Sequence, residues 1–138
     1  MEEIKINWIR TNYNEVGNYY DTYYYAFSRG NNLLYIGISY RQNVKTEITQ
    51  TLNRLGISSN GLSIWLGYVD TEQTTYGRIT EQIVLDAECL LIRTNQPNYN
   101  TQCKENYTGR CNFKVKTSGC SLIRRCVKCE NNRVYLTC

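Results

Sequence analysis

Six of the seven cysteines in this chain lie between residues 103 and 138, and this clustering constrains the fold more than any other feature. A segment of that length buries too little apolar surface to form a core of its own, so it needs cross-links to hold a shape. The six are Cys103, Cys111, Cys120, Cys126, Cys129 and Cys138, while Cys89 lies alone in a predicted helix. The cross-links are either a bound metal ion or disulfides.

Cys126 and Cys129 are separated by two residues, a spacing that is typical of structural zinc sites. We therefore predict a structural zinc ion that is bound by these two thiolates. Its two further ligands would come from Cys111, Cys120 and Cys138. No second pair of cysteines has this spacing, so disulfides and free thiols remain alternatives.

The amino terminus lacks the basic stretch followed by an apolar one that marks a secretory signal, and no apolar run is long enough to span a bilayer. We therefore predict a cytoplasmic protein without a membrane partner. A mature secreted chain whose signal has been removed remains an alternative. Because thiols stay reduced in the cytoplasm, the predicted compartment favours zinc over disulfides.

Two apolar segments, residues 23–27 and 33–38, flank a turn that contains Gly30 and two asparagines. This pattern predicts a β-hairpin. Tyr25 and Tyr35 are an even number of residues apart, so their rings can converge on one face of the sheet. The alternative is that both tyrosines only pack the sheet.

Three further elements follow the hairpin. Apolar residues at helical spacing predict helices over residues 43–55 and 80–94, with Asn43 and Thr80 as N-caps. A third strand is predicted over residues 62–69. The first eighteen residues would add an edge strand or an arm. The order of elements predicts a small α/β (α+β) layer fold in residues 1–100, followed by a cysteine-rich basic module in residues 101–138.

The motif Tyr35-Ile36-Gly37 follows Tyr25 in the hairpin, Glu88 lies in the second helix, and Asn100 ends a Pro-x-Tyr-Asn sequence. In this order and spacing, residues 19–102 resemble the GIY-YIG nuclease family. The resemblance implies a three-stranded antiparallel sheet flanked by helices. It also implies a metal-dependent endonuclease that hydrolyses phosphodiester bonds in DNA.

The resemblance implies a role for each matching residue. Tyr25 would be the general base or would position the water, which suits a chain without histidine. Tyr35 would hydrogen-bond the phosphate or the water. Glu88 would bind a single Mg²⁺ or Mn²⁺ ion. Asn100 would tether the exit loop or contact the metal-bound phosphate.

The family also uses an arginine on the helix that follows Tyr-Ile-Gly. At the usual interval this chain has Lys45, and two residues later it has Glu47. Arg41 and Arg54 are possible substitutes. Either the cation has moved, or the site is catalytically impaired and the protein only binds nucleic acid or a protein partner. A disulfide-rich secreted binding protein is a third possibility.

Positive charge is concentrated in the tail. Residues 101–138 carry eight basic and two acidic side chains, whereas residues 1–100 carry eight basic and ten acidic ones. This asymmetry indicates an acidic partner, and DNA is the leading candidate. The predicted DNA-binding residues are Lys114, Lys116, Arg124, Arg125 and Lys128. The alternative is solvated charge without a partner.

Overall fold

The computed structural model describes residues 1–75 and 77–138. Within them the chain forms seven strands and two helices. In chain order these are β1 (Glu2–Thr11), β2 (Tyr24–Arg29), β3 (Asn32–Ile38), α1 (Val44–Leu55), β4 (Ser63–Val69), α2 (Glu81–Asn95), β5 (Phe113–Ser118), β6 (Cys126–Glu130) and β7 (Arg133–Tyr135).

All seven strands form one mixed sheet in the order β3-β2-β4-β1-β5-β6-β7. Strands β1 and β5 pair in parallel, and the other neighbours pair antiparallel. The prediction of a three-stranded sheet flanked by helices was therefore wrong, because the protein is mostly β and its sheet has more than twice as many strands. The predicted hairpin is present as β2 and β3.

The first strand explains most of this difference, because β1 lies in the middle of the sheet. Its residues alternate between the two faces, and Ile4, Ile6 and Trp8 are buried. One edge of β1 pairs with β4 and the other with β5, so β1 joins the first hundred residues to the tail. The sheet therefore runs through the predicted boundary near residue 100.

The two helices cover opposite faces of the sheet. Helix α1 begins after Asn43, whose side chain accepts a hydrogen bond from the Thr46 amide, and it ends at Gly56 in the left-handed conformation. It packs on one face of β2, β3 and β4. Helix α2 begins after Thr80, which caps it through the Ile83 amide, and it packs on the other face, against β3 and the tail strands β5 and β6. Both predicted N-caps are confirmed.

The prediction of structural zinc was wrong, because six cysteines form three disulfides. The pairs are Cys89–Cys103, Cys111–Cys129 and Cys126–Cys138, and Cys120 is free and buried. Cys126 and Cys129 lie in strand β6 rather than in a loop. Side chains three positions apart in a strand point to opposite faces. The two thiols therefore face apart and take different partners.

The cofactor prediction as a whole is corrected by the same observations. Within the part of the chain that the structure describes, no group of three or more histidine, cysteine or acidic side chains is arranged to hold a metal ion. This finding overturns the predicted metal cofactors, zinc and Mg²⁺ or Mn²⁺.

The prediction of a cytoplasmic location was also wrong. Three disulfides form and persist in oxidising surroundings, such as the outside of the cell. Among the described helices, neither is long and apolar enough to cross a membrane.

Candidate functional site

A pocket of about 230 Å³ lies beside β3, at the edge of the sheet. We call it the Glu88 pocket. Its walls come from β3, the last turn of α1, the middle of α2 and the segment after α2. The lining residues are Tyr35, Arg54, Glu88, Ile92, Tyr99, Asn100, Thr101 and Gln102. The structure thus brings together Tyr35, Glu88 and Asn100 with one of the substitute arginines.

Glu88 is the acidic group of the pocket. Its carboxyl is partly buried and, among the described residues, forms neither an ion pair nor a hydrogen bond. Burial raises the pKa of Glu88 from 4.5 to about 7. A carboxyl with this pKa exchanges protons readily near neutral pH, which is the property required of a general acid or base.

Arg54 is the cation of the pocket. Its Nη2 donates a hydrogen bond to the Tyr35 hydroxyl at 3.3 Å, and its guanidinium carbon lies 5.9 Å from the centre of that ring. The phenol therefore holds the guanidinium at the pocket wall. A guanidinium in this position can bind a phosphate group through two parallel hydrogen bonds.

The other two candidate cations lie elsewhere. Lys45 donates to the Tyr13 carbonyl, and its ammonium lies 3.6 Å from the centre of the Tyr13 ring. Lys45 and Arg54 are separated by about two and a half helical turns, so they project from opposite sides of α1. Arg41 extends over the Tyr40 ring at 5.1 Å and lines a different pocket.

Tyr25 is sealed behind the Glu88 pocket. Its side chain is 2% exposed, and its hydroxyl lies 2.7 Å from Thr51 Oγ1 in a hydrogen bond. Its ring stacks on Tyr35 with 6.1 Å between the centroids. Burial raises the pKa of Tyr25 well above 10, and the bond to Thr51 offsets this only in part. A phenol held neutral in this way is poorly suited to the predicted role of general base.

Gly37 makes room for the two tyrosines. A Cβ atom at this position would lie 2.5 Å from Tyr25 Cζ and 2.8 Å from Tyr35 Cε2, both far inside normal contact distance. Gly37 pairs directly with Tyr25 across the hairpin. The glycine of the Tyr-Ile-Gly motif is therefore required by the packing of the hairpin.

Asn100 anchors the segment after α2 to the edge of β3. Its Oδ1 accepts from the Ile36 amide at 3.0 Å, and its Nδ2 donates to the Ile36 carbonyl at 2.9 Å. Asn98 and Tyr99 extend this contact through their amides, which donate to Leu33 and Leu34. Since both ends of the Asn100 amide are engaged, Asn100 serves as a tether that closes one side of the pocket.

A second polar surface lies on the opposite end of the sheet. Lys114 and Lys116 of β5 and Lys128 of β6 point away from the core, because each alternates with buried residues. Lys5 of β1 pairs with Lys116 in the register of the parallel strands and joins the same surface. We call these four residues the lysine face.

Two ion pairs neutralise part of this surface, Lys116 with Glu3 at 3.5 Å and Lys128 with Glu130 at 2.8 Å. Arg125 lies at its margin, where it lines a groove together with Lys5 and Lys116. The sequence did not identify Lys5, because only the pairing of β1 with β5 brings it to the tail.

Arg124 does not belong to the lysine face. Its Nε donates to the Thr94 carbonyl at 3.0 Å, and its backbone amide donates to Asn95 Oδ1 at 2.9 Å. These contacts place the guanidinium at the carboxyl end of α2, where a cation satisfies carbonyls that the helix leaves unpaired.

The fold and pocket define a mostly β, disulfide-linked protein with a carboxyl, a guanidinium and a phenol around one small cavity. No protein-family model, curated protein or solved structure matches the chain. The resemblance to the GIY-YIG family therefore remains a hypothesis that rests on the motif residues.

Proposed function

We propose that this protein binds DNA and hydrolyses its phosphodiester bonds at the Glu88 pocket. The observation that carries the proposal is the convergence of Tyr35, Arg54 and Glu88 on one cavity of about 230 Å³. Hydrolysis of a phosphodiester requires neutralisation of charge on the phosphate and a group that takes a proton from water. The pocket contains a side chain for each task.

In this mechanism Arg54 binds a non-bridging oxygen of the phosphate. Tyr35 accepts a hydrogen bond from Arg54, so its own hydroxyl proton can point to the phosphate. Ionised Glu88 takes a proton from a water molecule, whose oxygen forms the new bond to phosphorus. The bond from phosphorus to the leaving sugar oxygen breaks, and that oxygen takes up a proton from solvent.

The lysine face would bind the backbone on one side of the cleaved bond. Four strand spacings of about 4.8 Å separate β3 from β5, so this face lies roughly 19 Å from the pocket edge. About six nucleotides, at 3.4 Å each, cover that distance. Binding through lysines and phosphates depends strongly on salt and little on sequence.

Binding without cleavage is the second candidate function. The environment of Tyr25 favours it, because the phenol that the resemblance makes the base is buried and hydrogen-bonded to Thr51. The family position of the cation is also occupied by Lys45, which points away from the pocket. In this case the lysine face alone would carry the function.

A cleavage assay with oxidised protein separates the two candidates. Supercoiled plasmid and single-stranded DNA are incubated with the wild type and with the variants Glu88→Gln and Arg54→Ala, both in chelator and with added divalent cation. Exposed residues of the same charge supply the controls Glu81→Gln and Arg29→Ala. We expect cleavage by the wild type and both controls. Each pocket variant should cut at least ~100-fold more slowly, as expected for loss of a catalytic group.

Binding is measured on the same samples by electrophoretic mobility shift. Retained affinity without cleavage by the wild type would establish the binding-only function. If the wild type neither cuts nor binds any of the DNA, both proposals are wrong.

A further inference from the structure

A second cavity, of about 570 Å³, lies where the entry to β2 faces the loop between β4 and α2. We call it the tyrosine pocket, and its defining residues are Tyr20, Asp21, Tyr23, Tyr40, Arg41 and Arg78. It shares no lining residue with the Glu88 pocket. Its volume falls within the range of small-molecule sites.

Aromatic rings form one wall of this pocket. Tyr23 and Tyr40 stack with 5.2 Å between their centroids and 26° between their planes. The Tyr40 hydroxyl donates to the Ile79 carbonyl at 3.3 Å, which fixes the wall to the far side of the pocket. Tyr20 extends the aromatic surface at the rim and is 66% exposed. A flat ring can therefore bind here by stacking.

Two arginines supply positive charge beside the rings. Arg41 lies over Tyr40, with its guanidinium carbon 5.1 Å from the ring centre. Its backbone has φ of 61°, a conformation that costs free energy in a residue other than glycine. Within the described residues, neither Arg41 nor Arg78 has a carboxylate in ion-pair distance. Both guanidinium groups thus remain available to an anion.

Asp21 is the one acidic side chain among the lining residues. Because Arg41 and Arg78 line the same pocket, its net charge remains positive. The Asp21 carboxylate provides a hydrogen-bond acceptor for hydroxyl or amino groups of a ligand. A ligand that matches these features carries a flat aromatic ring, an anionic group and hydrogen-bond donors between or beside them. A nucleotide combines all three, since its base stacks, its phosphate binds arginine and its sugar and base supply donors.

We propose that the tyrosine pocket binds a nucleotide, with the base against the tyrosines and the phosphate on Arg41 and Arg78. The nucleotide is either free in solution or one unit of a nucleic-acid strand. The proposal does not depend on cleavage at the Glu88 pocket, because it concerns binding at a separate cavity.

Isothermal titration calorimetry tests the proposal with adenosine 5′-monophosphate, thymidine 5′-monophosphate and a short oligothymidylate as ligands. The variants are Arg41→Gly, which suits the left-handed backbone, together with Arg78→Ala and Tyr20→Leu at exposed positions. The control is Arg29→Ala, at the end of β2, a residue that lines neither the tyrosine pocket nor the Glu88 pocket. Circular dichroism and thermal unfolding confirm that each variant is folded.

We expect each of the three pocket variants to raise the dissociation constant about tenfold or more, while Arg29→Ala binds as the wild type does. Binding of the mononucleotides identifies the free nucleotide as ligand, and binding of the oligonucleotide alone identifies a unit of a strand. Affinity unchanged by Arg41→Gly and Arg78→Ala would overturn the proposal. Loss of binding in Arg29→Ala, or no binding of any of the three ligands at millimolar concentration, would overturn it as well.

Discussion

The carboxyl of Glu88 makes the stability of this protein depend on pH in a direction that can be calculated. Burial raises the pKa of Glu88 from 4.5 to about 7 in the folded state. At 1.36 kcal/mol per pKa unit the difference corresponds to about 3.4 kcal/mol. Because the carboxyl is partly open to the pocket, solvent reduces this figure, and we expect about 2 kcal/mol.

The direction of this pH dependence follows from the number of protons that Glu88 binds in the folded and the unfolded chain. Below pH 4.5 the carboxyl is protonated in both the folded and the unfolded chain, so it has no effect on stability. Between pH 4.5 and about 7 the unfolded chain loses the proton first, so the free energy of unfolding falls as pH rises. Above about pH 7 the free energy of unfolding has fallen by the full amount.

Urea unfolding of the oxidised protein at pH 4.5, 5.5, 6.5 and 8 measures this effect against two variants. Glu88→Gln keeps the size of the side chain but does not ionise, and Glu81→Gln is the matched control at an exposed position of the same helix. We expect Glu88→Gln to be about 2 kcal/mol more stable than the wild type at pH 8, with the gap closing towards pH 4.5. Parallel curves for the wild type and Glu88→Gln would show that the carboxyl is not held in a desolvated pocket.

Three further predictions concern packing, cross-links and charge. Gly37→Ala should lower the free energy of unfolding by about 1–3 kcal/mol in urea denaturation, because its Cβ would overlap Tyr25 and Tyr35. Gly77→Ala should change it little, because a Cβ added there would meet no heavy atom within 4 Å among the described residues beyond its chain neighbours. Peptide mapping without reduction should recover the three disulfide pairs, and reduction should destabilise the fold by at least ~2 kcal/mol; recovery of free Cys126 and Cys129 together with bound zinc would contradict the structure. In salt titrations of DNA affinity, the double variant Lys5→Gln and Lys116→Gln should reduce the slope of log K against log salt concentration by about 2, and an equal slope for both proteins would exclude the lysine face from binding.

The helices were predictable from sequence because their signals are local. Asn43 and Thr80 cap the helices that follow them through hydrogen bonds to amides three residues away. Gly56 ends α1 in a conformation that glycine adopts most easily. Each of these interactions lies within a few residues, so one stretch of sequence contains both partners.

The sheet was not predictable in the same way, because strand pairing is not local. Ile4 pairs with Val115, more than a hundred residues later, and nothing in residues 1–18 identifies that partner. The zinc prediction failed for a related reason. A metal site requires the Cys126 and Cys129 thiols to face one ion, but the pairing of β6 with β5 and β7 makes this segment a strand, in which the two side chains point to opposite faces.

The sequence indicated only some of the residues of the Glu88 pocket. The identity of its cation and the position of Tyr25 were not predicted, and both change the chemistry. Tyr35, Glu88 and Asn100, which the resemblance groups in one site, line the Glu88 pocket. The choice between Lys45 and Arg54 depended on which side of α1 each one faces, and Arg41 precedes that helix. Tyr25 was expected to be the general base or to position the water, yet its ring lies behind Tyr35 and its hydroxyl is hydrogen-bonded to Thr51. Burial raises the pKa of both groups, with opposite consequences for a role as general base. It keeps the Tyr25 phenol neutral, which makes it a poor base, and it brings the pKa of Glu88 to about 7, which suits that role. If the pocket is catalytic, the general base is therefore the Glu88 carboxyl. Tyr25 then supports the ring of Tyr35, whose hydroxyl faces the phosphate.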